Sequence, residues 1–339
     1  MNYRDYVIRR LLATVVTLWG ILTLVFIIGR VLPGDPAAVI AGQQATEEQL
    51  EAIREQYGLA QPFHEQYIDF FVDLVLYQDL GLSVATQRPV SYEIAQRFPA
   101  TFELTTLAIV IALLIGIPLG VLSAMYKDKF TDHSSRVVAI SGVSLPAFWL
   151  AILAQLLFYY HLGLFPSGGR LPDGVEPPAA YTGMYLVDGL ITMNAPVVFG
   201  TVEHLLLPAT VLSLAPLAQT MRIMRSSMID TLNMDYIEWS RAHGFSQLTI
   251  TLRHALRNAI MPTITAVGLT YGLLLGGSVV IEIVFNYPGL GLFLYDAVIR
   301  SDFNGILGVT VVFALAYLLV NLGVDLLHSY VNPEVEASG

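Results

Sequence analysis

The sequence predicts an all-α membrane protein with six transmembrane helices and a helical extracytoplasmic insert between the first and second of them. Three observations carry that prediction. Of 339 residues, 55% are hydrophobic and only 13% charged, more apolar surface than a water-soluble core of this length can hide. Six apolar runs approach the roughly 20 residues that a helix needs to cross about 30 Å of hydrocarbon. Arginine and lysine divide unequally between the loops that six spans create, 11 to one side and 6 to the other.

The first run, Leu11 to Gly29, is 19 residues without a charge and follows three arginines. It exceeds the apolar core of about 7–15 residues usual in a secretory leader and lacks the small-x-small cleavage pattern, so the segment is expected to remain in the mature protein. The polar insert, residues 31–99, opens a helix with a capping box, Thr46 with Gln49, carries Leu50, Ile53 and Tyr57 as its stripe and ends at Gly58. A second helix starts at Pro62, and Tyr67, Phe70, Phe71 and Leu74 give it an apolar face. The two insert helices are expected to pack on each other or on the membrane surface. The remaining spans are Leu104 to Met125, Val137 to Tyr160, Leu205 to Met221, Ile260 to Val284 and Ile306 to Leu327. Prolines 118, 146, 208 and 216 are expected to kink them.

The richer basic side holds Arg4, Arg9, Arg10, Lys127, Lys129, Arg136 and the arginines of residues 222–257. By the positive-inside rule both termini are cytoplasmic and the insert faces out. The chain then divides into residues 1–30, an N-terminus and first span; 31–99, the insert; 100–332, a five-span core; and 333–339, a cytoplasmic tail.

The one long polar stretch between two spans, within residues 226–262, reads as two helices meeting at a corner. Ile229, Leu232 and Tyr236 keep an apolar stripe on the first, with Glu238 and Arg241 paired along its side. Gly244 stops it by taking the left-handed conformation, and Ser246 caps a second helix carrying Leu248, Leu252 and Leu256.

Within that corner, Glu238-Trp-Ser-Arg-Ala-His-Gly244 has the glutamate-x-x-x-x-x-glycine spacing of the EAA loop. The chain thereby resembles the permeases of ABC importers, whose EAA loop is the coupling helix that sits in a groove of the ATPase subunit. Trp239 and Ser240 stand where that loop has two alanines, and Leu256-Arg257 where leucine-proline usually follows, a variant similar to the first permease of dipeptide, oligopeptide and nickel importers. Pro33-Gly-Asp-Pro-Ala, Tyr57-Gly-Leu, Asp79-Leu-Gly-Leu-Ser, Pro99-Ala-Thr-Phe-Glu-Leu and Val284-Phe-Asn-Tyr-Pro-Gly-Leu-Gly291 resemble further landmarks of the family in the same order. The resemblance implies the ABC type I importer permease architecture in a prokaryotic inner membrane. It implies an ATPase-coupling loop carried by Glu238, Trp239, Ser240, Ala242 and Gly244. It also implies as partners a second permease, one or two ATPase subunits that bind the ATP, and an extracytoplasmic solute-binding protein. Peptides are the favoured solute, with nickel, opines and oligosaccharides as the family's other cargoes.

Other chemistries lack residues. The two lysines, Lys127 and Lys129, sit in no phosphate-cradling loop, there is no HExxH or GxSxG, and no cysteine. No catalytic, cofactor or metal site is therefore expected in this chain, and the charge of −10 argues against nucleic acid. The alternative reading, a stand-alone secondary transporter or channel, would need inverted repeats or filter residues that the sequence does not supply. Gly268, Gly272 and Gly276 fall on one helix face, open to close packing or to gating. Glu103, Glu282 and Asp325 lie near span ends within reach of water, and His204, His254 and His328 are expected at the surface.

Overall fold

The computed structural model describes residues 3–31, 45–56, 60–127, 129 and 145–331. The landmarks at 33–37 and 57–59, with the helix stop at Gly58, and the tail 333–339 lie outside the described residues, as does most of the loop before the third span. Helix α1 is Tyr3–Val31, and the insert contributes α2 (Glu47–Gln56) and α3 (Phe63–Val72), the latter continued by a π-helical turn, Asp73–Tyr77. The core follows as α4 (Val90–Met125), α5 (Ala147–Ala154, continued as a π-helix through Gln155–His161), the short α6 (Tyr185–Ile191) and α7 (Ala195–Leu232). It ends with α8 (Asp235–Ala242), α9 (Gln247–Gly277), α10 (Val279–Val284), α11 (Leu290–Ile299) and α12 (Phe303–Val331).

Among the described residues, five helices are long and apolar enough to cross a membrane, lying in α1, α4, α7, α9 and α12, and Ala147–His161 is apolar but shorter. The expected third span is thus seen only in its second half. Pro146 does not kink a helix but precedes α5 as its N-cap, while Pro118, Pro208 and Pro216 do lie inside helices. The expected fifth span is broken at Ser278, which separates α9 from α10.

Helices α4 and α7 form the spine. Leu104 and Ala108 of one bury against Leu205, Ala209 and Leu212 of the other. Near their far ends the backbones come close enough that a Cβ on Gly116 would sit 3.0 Å from the Leu217 carbonyl and one on Gly120 2.8 Å from that of Met221. Small residues at a membrane helix crossing allow this approach, which sums many weak dispersion contacts. Helix α9 lies across both and against α12.

Among the described residues the two insert helices are not seen packed on each other. The second of them, α3, lies on α1 instead: Phe26 is fully buried beneath Phe63, Tyr67 and Phe70, with ring centroids 5.3–5.4 Å apart, and Thr23 Oγ1 lies 2.7 Å from the Tyr67 hydroxyl. Leu74 and Phe71 join Leu22 of α1 and Leu307 and Val311 of α12 in the same cluster. Burial against two spans hides more apolar surface than a polar α2 could, and α2 carries Glu47, Glu48, Glu51 and Glu55. The capping box forms as expected, Thr46 N donating to Gln49 Oε1 at 2.9 Å. The end of the insert is fixed by fully buried Asp302, which accepts from Ser83 Oγ, Ala85 N and Gly305 N. At the other end of the bundle Arg10 pairs with Asp325, joining α1 to α12.

Candidate functional site

The polar corner forms between α7 and α9. The stripe expected to run through Ile229, Leu232 and Tyr236 is interrupted, because α7 ends at Leu232 and Asn233 and Met234 lead into a separate α8. Helix α8 buries Ile237 and Ser240, and Ile237 joins Met224 and Met228 of α7, Val121 and Ala124 of α4 and Ile250 of α9. The corner is therefore seated on the ends of three core helices.

Its turn is closed by backbone bonds. Phe245 N donates to Ser240 O at 3.3 Å and Gly244 N to Arg241 O at 3.0 Å, the paired bonds of a Schellman motif. That motif needs a left-handed residue at Gly244, where φ is +78°. A Cβ there would touch nothing within 4 Å, so it is the backbone angle, not space, that requires glycine. Ser246 then caps α9, its Oγ accepting from Thr249 N at 3.3 Å.

The sequence-predicted site residues separate by face. Glu238, Trp239, Ala242 and Gly244 are exposed, whereas Ser240 is buried. Trp239 is 59% exposed and stacks on His243 with centroids 3.7 Å apart. The pairing expected between Glu238 and Arg241 is not made; Arg241 Nη2 donates to Leu232 O at 3.3 Å, covering a carbonyl left open at the end of α7. The expected stripe of Leu248 and Leu252 faces outward, 62% and 52% exposed, while Ile250, Thr251 and Ala255 turn inward through a π-helical stretch. The corner thus presents Trp239, Leu248 and Leu252 on a segment that is otherwise polar.

Of the three glycines expected to share one face of α9, two meet another helix. A Cβ on Gly268 would overlap Val324 and one on Gly272 would sit 2.8 Å from the Tyr317 ring, both on α12; Gly276 meets nothing within 4 Å.

At the opposite end of the spine lies a buried polar clasp that sequence reasoning did not assemble. Glu103 and Glu282, expected near water, are instead buried, and so is His204, whose Nδ1 lies 2.9 Å from Gly200 O. Arg170, in the loop after α5, donates to Glu103 Oε2 at 2.7 Å and stands 3.6 Å over the Tyr185 ring. Glu103 Oε1 accepts from Leu186 N at 2.7 Å, fixing the start of α6. Burial alone would lower the Arg170 pKa, but Tyr287 and Glu103 beside it outweigh that and hold it above its ordinary value. Desolvation likewise would raise Asp188, yet Thr182 Oγ1 and the backbone N–H groups of Thr182 and Gly183 hold it below the usual carboxylate range.

Glu282 forms the second half of the clasp. Its Oε1 accepts from Thr101 Oγ1 at 2.8 Å, and its Oε2 accepts from Gly291 N and Leu292 N at 2.7 and 3.1 Å. The carboxylate therefore caps α11, and Gly289 and Gly291 leave it the space to do so. One signal was available: Thr101 and Glu103 both lie in the Pro99–Leu104 landmark, and Tyr287, Gly289 and Gly291 in the Val284–Gly291 landmark. These carboxylates are consumed by structural hydrogen bonds, and among the described residues no group of three His, Asp or Glu side chains could hold a metal ion.

The fold is thus a multi-pass helical bundle with a polar corner seated on the ends of three core helices. Comparison with known proteins gives the family. Residues 116–337 match the model for the binding-protein-dependent transport system inner membrane component, and residues 3–105 match its N-terminal membrane component. The chain belongs to this family, the non-enzymatic inner-membrane permeases of ABC transporters. It is 43% identical to the probable D,D-dipeptide transport system permease protein DdpB of Escherichia coli K12, over 100% of this chain and 99% of the relative. It is 37% identical to the dipeptide transport system permease protein DppB of Alkalihalophilus pseudofirmus, covering 98% and 99%. The glutathione transport system permease protein GsiC of Escherichia coli O6:H1 is 38% identical, with 98% of each chain covered.

Proposed function

We propose that this chain is the first permease subunit of an ATP-driven importer of short peptides, forming the translocation path with a second, related permease. The observation that supports it most is end-to-end similarity to permeases named for a D,D-dipeptide, a dipeptide and glutathione, whose shared chemistry is a small peptide. In this reading the chain has six spans with both termini in the cytoplasm. The corner of α8 with Gly244 is the coupling element, docking Trp239 and its neighbours on one of one or two ATPase subunits. ATP and its phosphate-binding machinery belong to those subunits, this chain carrying no cofactor, and an extracytoplasmic binding protein delivers the solute.

The test is reconstitution of the chain with its permease, ATPase and binding-protein partners in proteoliposomes. ATP-dependent accumulation of a labelled dipeptide, competed by other short peptides and absent without ATPase, is expected. Accumulation of only a nickel chelate, an opine or an oligosaccharide would overturn the peptide assignment, and ATP-independent uptake by the chain alone would overturn the importer reading.

A further inference from the structure

Between α8 and the first turns of α9 lies an open groove of about 550 Å³, lined by Tyr236, Trp239, Arg253, His254, Arg257 and Asn258 together with Ser240. Its floor is fixed. Ser240 Oγ donates to Tyr236 O at 2.9 Å and lies 3.0 Å from His254 Nδ1, a contact that holds the imidazole in place. Phe245 packs edge-on against the same imidazole, with centroids 5.1 Å apart, and Asn258 Nδ2 donates to the Tyr236 hydroxyl at 2.9 Å, closing one end.

Its walls are unlike its floor. Arg253 and Arg257 stand at i and i+4 on α9, both exposed, and among the described residues neither has an ion pair or side-chain hydrogen bond while no acidic side chain lines the groove. Trp239, also exposed, lines the same groove from α8. A shallow groove lined by two guanidinium groups and an indole suits an anion attached to an apolar stem.

The groove opens at the polar end of α9, ahead of the apolar run that begins at Ile260. Helix α9 has 31 residues, about 46 Å at 1.5 Å each, roughly 15 Å more than the hydrocarbon it crosses. The surplus accommodates the polar turns at its start, which carry Leu248, Leu252 and Arg253 beside the exposed Trp239.

We infer that this groove receives an acidic side chain of the ATPase subunit, its carboxylate bridging Arg253 and Arg257 while its stem lies on Trp239. The inference rests on the coupling role of α8 and adds to it a reciprocal contact: the corner does not only enter its partner but is itself entered. Paired arginines bind carboxylates with charge assistance and fixed geometry, so the contact would set the orientation in which the ATPase docks and make its retention sensitive to salt.

The experiment compares the complete detergent-solubilised complex carrying wild-type chain, Arg253→Gln/Arg257→Gln, or Arg253→Lys/Arg257→Lys, measuring ATPase retained across a series of NaCl concentrations with the sister permease as loading control. Retention by wild type should fall with salt. The Gln pair should hold roughly tenfold less ATPase at low salt with a flattened salt dependence, while the Lys pair recovers much of the wild-type behaviour. Wild-type retention and slope in the Gln pair would overturn the inference while leaving the permease reading intact. Unchanged ATPase with loss of co-purifying anionic phospholipid would overturn it in favour of a lipid headgroup. A wild-type chain that holds no ATPase at any salt would sink both.

Discussion

Glu103 and Arg170 are 67 positions apart and meet in a 2.7 Å hydrogen bond with side chains only 4% and 6% exposed. Neither charge could be left alone there, since the desolvation that each suffers is repaid only by the other and by their further bonds to Leu186 N and Gly183 O. Arg170→Met should therefore strand a buried carboxylate and destabilise the fold by about 3–5 kcal/mol, whereas adding Glu103→Gln should restore a good part of it. Thermal unfolding of the purified chain in detergent measures both, and an unchanged midpoint in the single variant would show that water reaches Glu103. At this scale the sequence was only half informative. Glu103 stood inside a visible landmark, but no spacing tells that the loop carrying Arg170 folds back over it, so an acid near a span end was read as one that meets water. Gly244 was legible, because a glycine closing a polar helix ahead of a serine cap has few other uses, and its φ of +78° bears that out.

Among elements, α9 shows where periodicity succeeds and where it misleads. The i, i+4 spacing of Gly268 and Gly272 correctly marked a face with no side chains, and α12 fills it with Val324 and Tyr317. Gly276 continues the spacing but meets nothing, since close contact with α12 does not extend that far. Gly272→Leu should press on the Tyr317 ring and cost about 1–3 kcal/mol by overpacking. Recovery of the folded complex by size-exclusion chromatography, together with uptake, separates the roles. Loss of complex is the outcome expected of packing, normal assembly with lost transport would assign the face to gating, and no effect on either would contradict the contact with α12. The spacing of Leu248 and Leu252 places them on one side of the helix without saying what covers them. Here the π-helical stretch turns Ile250, Thr251 and Ala255 inward, and the leucines are left for something outside the chain.

In the whole molecule the corner and the clasp occupy opposite ends of the same helices. Helix α7 runs 38 residues from its Asn194 cap to Leu232 beside α8, and α4 runs from the Glu103 clasp to Val121 and Ala124 in the cluster beneath Ile237. Under the proposed coupling role, a displacement of α8 would bear on the ends of two long helices rather than on loops. The all-helical class and most spans were legible because hydropathy and length suffice for helices in a bilayer. The docking of the insert on α1 and α12 was not, since its aromatic face specifies only that something apolar must cover it. The proposed orientation rests on charge, and a single cysteine at the exposed Thr182 should react with an impermeant thiol reagent in intact cells while one at Ser246 does not. Labelling of Ser246 would reverse the assignment. The central claim, that the Gly244 corner couples this permease to an ATPase, is tested most directly by Gly244→Val. A β-branched residue at that φ carries strain on the order of 1–3 kcal/mol and should distort the corner while touching no neighbour. In the reconstituted complex the variant should insert, keep its sister permease, lose most of its ATPase and transport little peptide. Wild-type ATPase retention and wild-type uptake by Gly244→Val would contradict the claim.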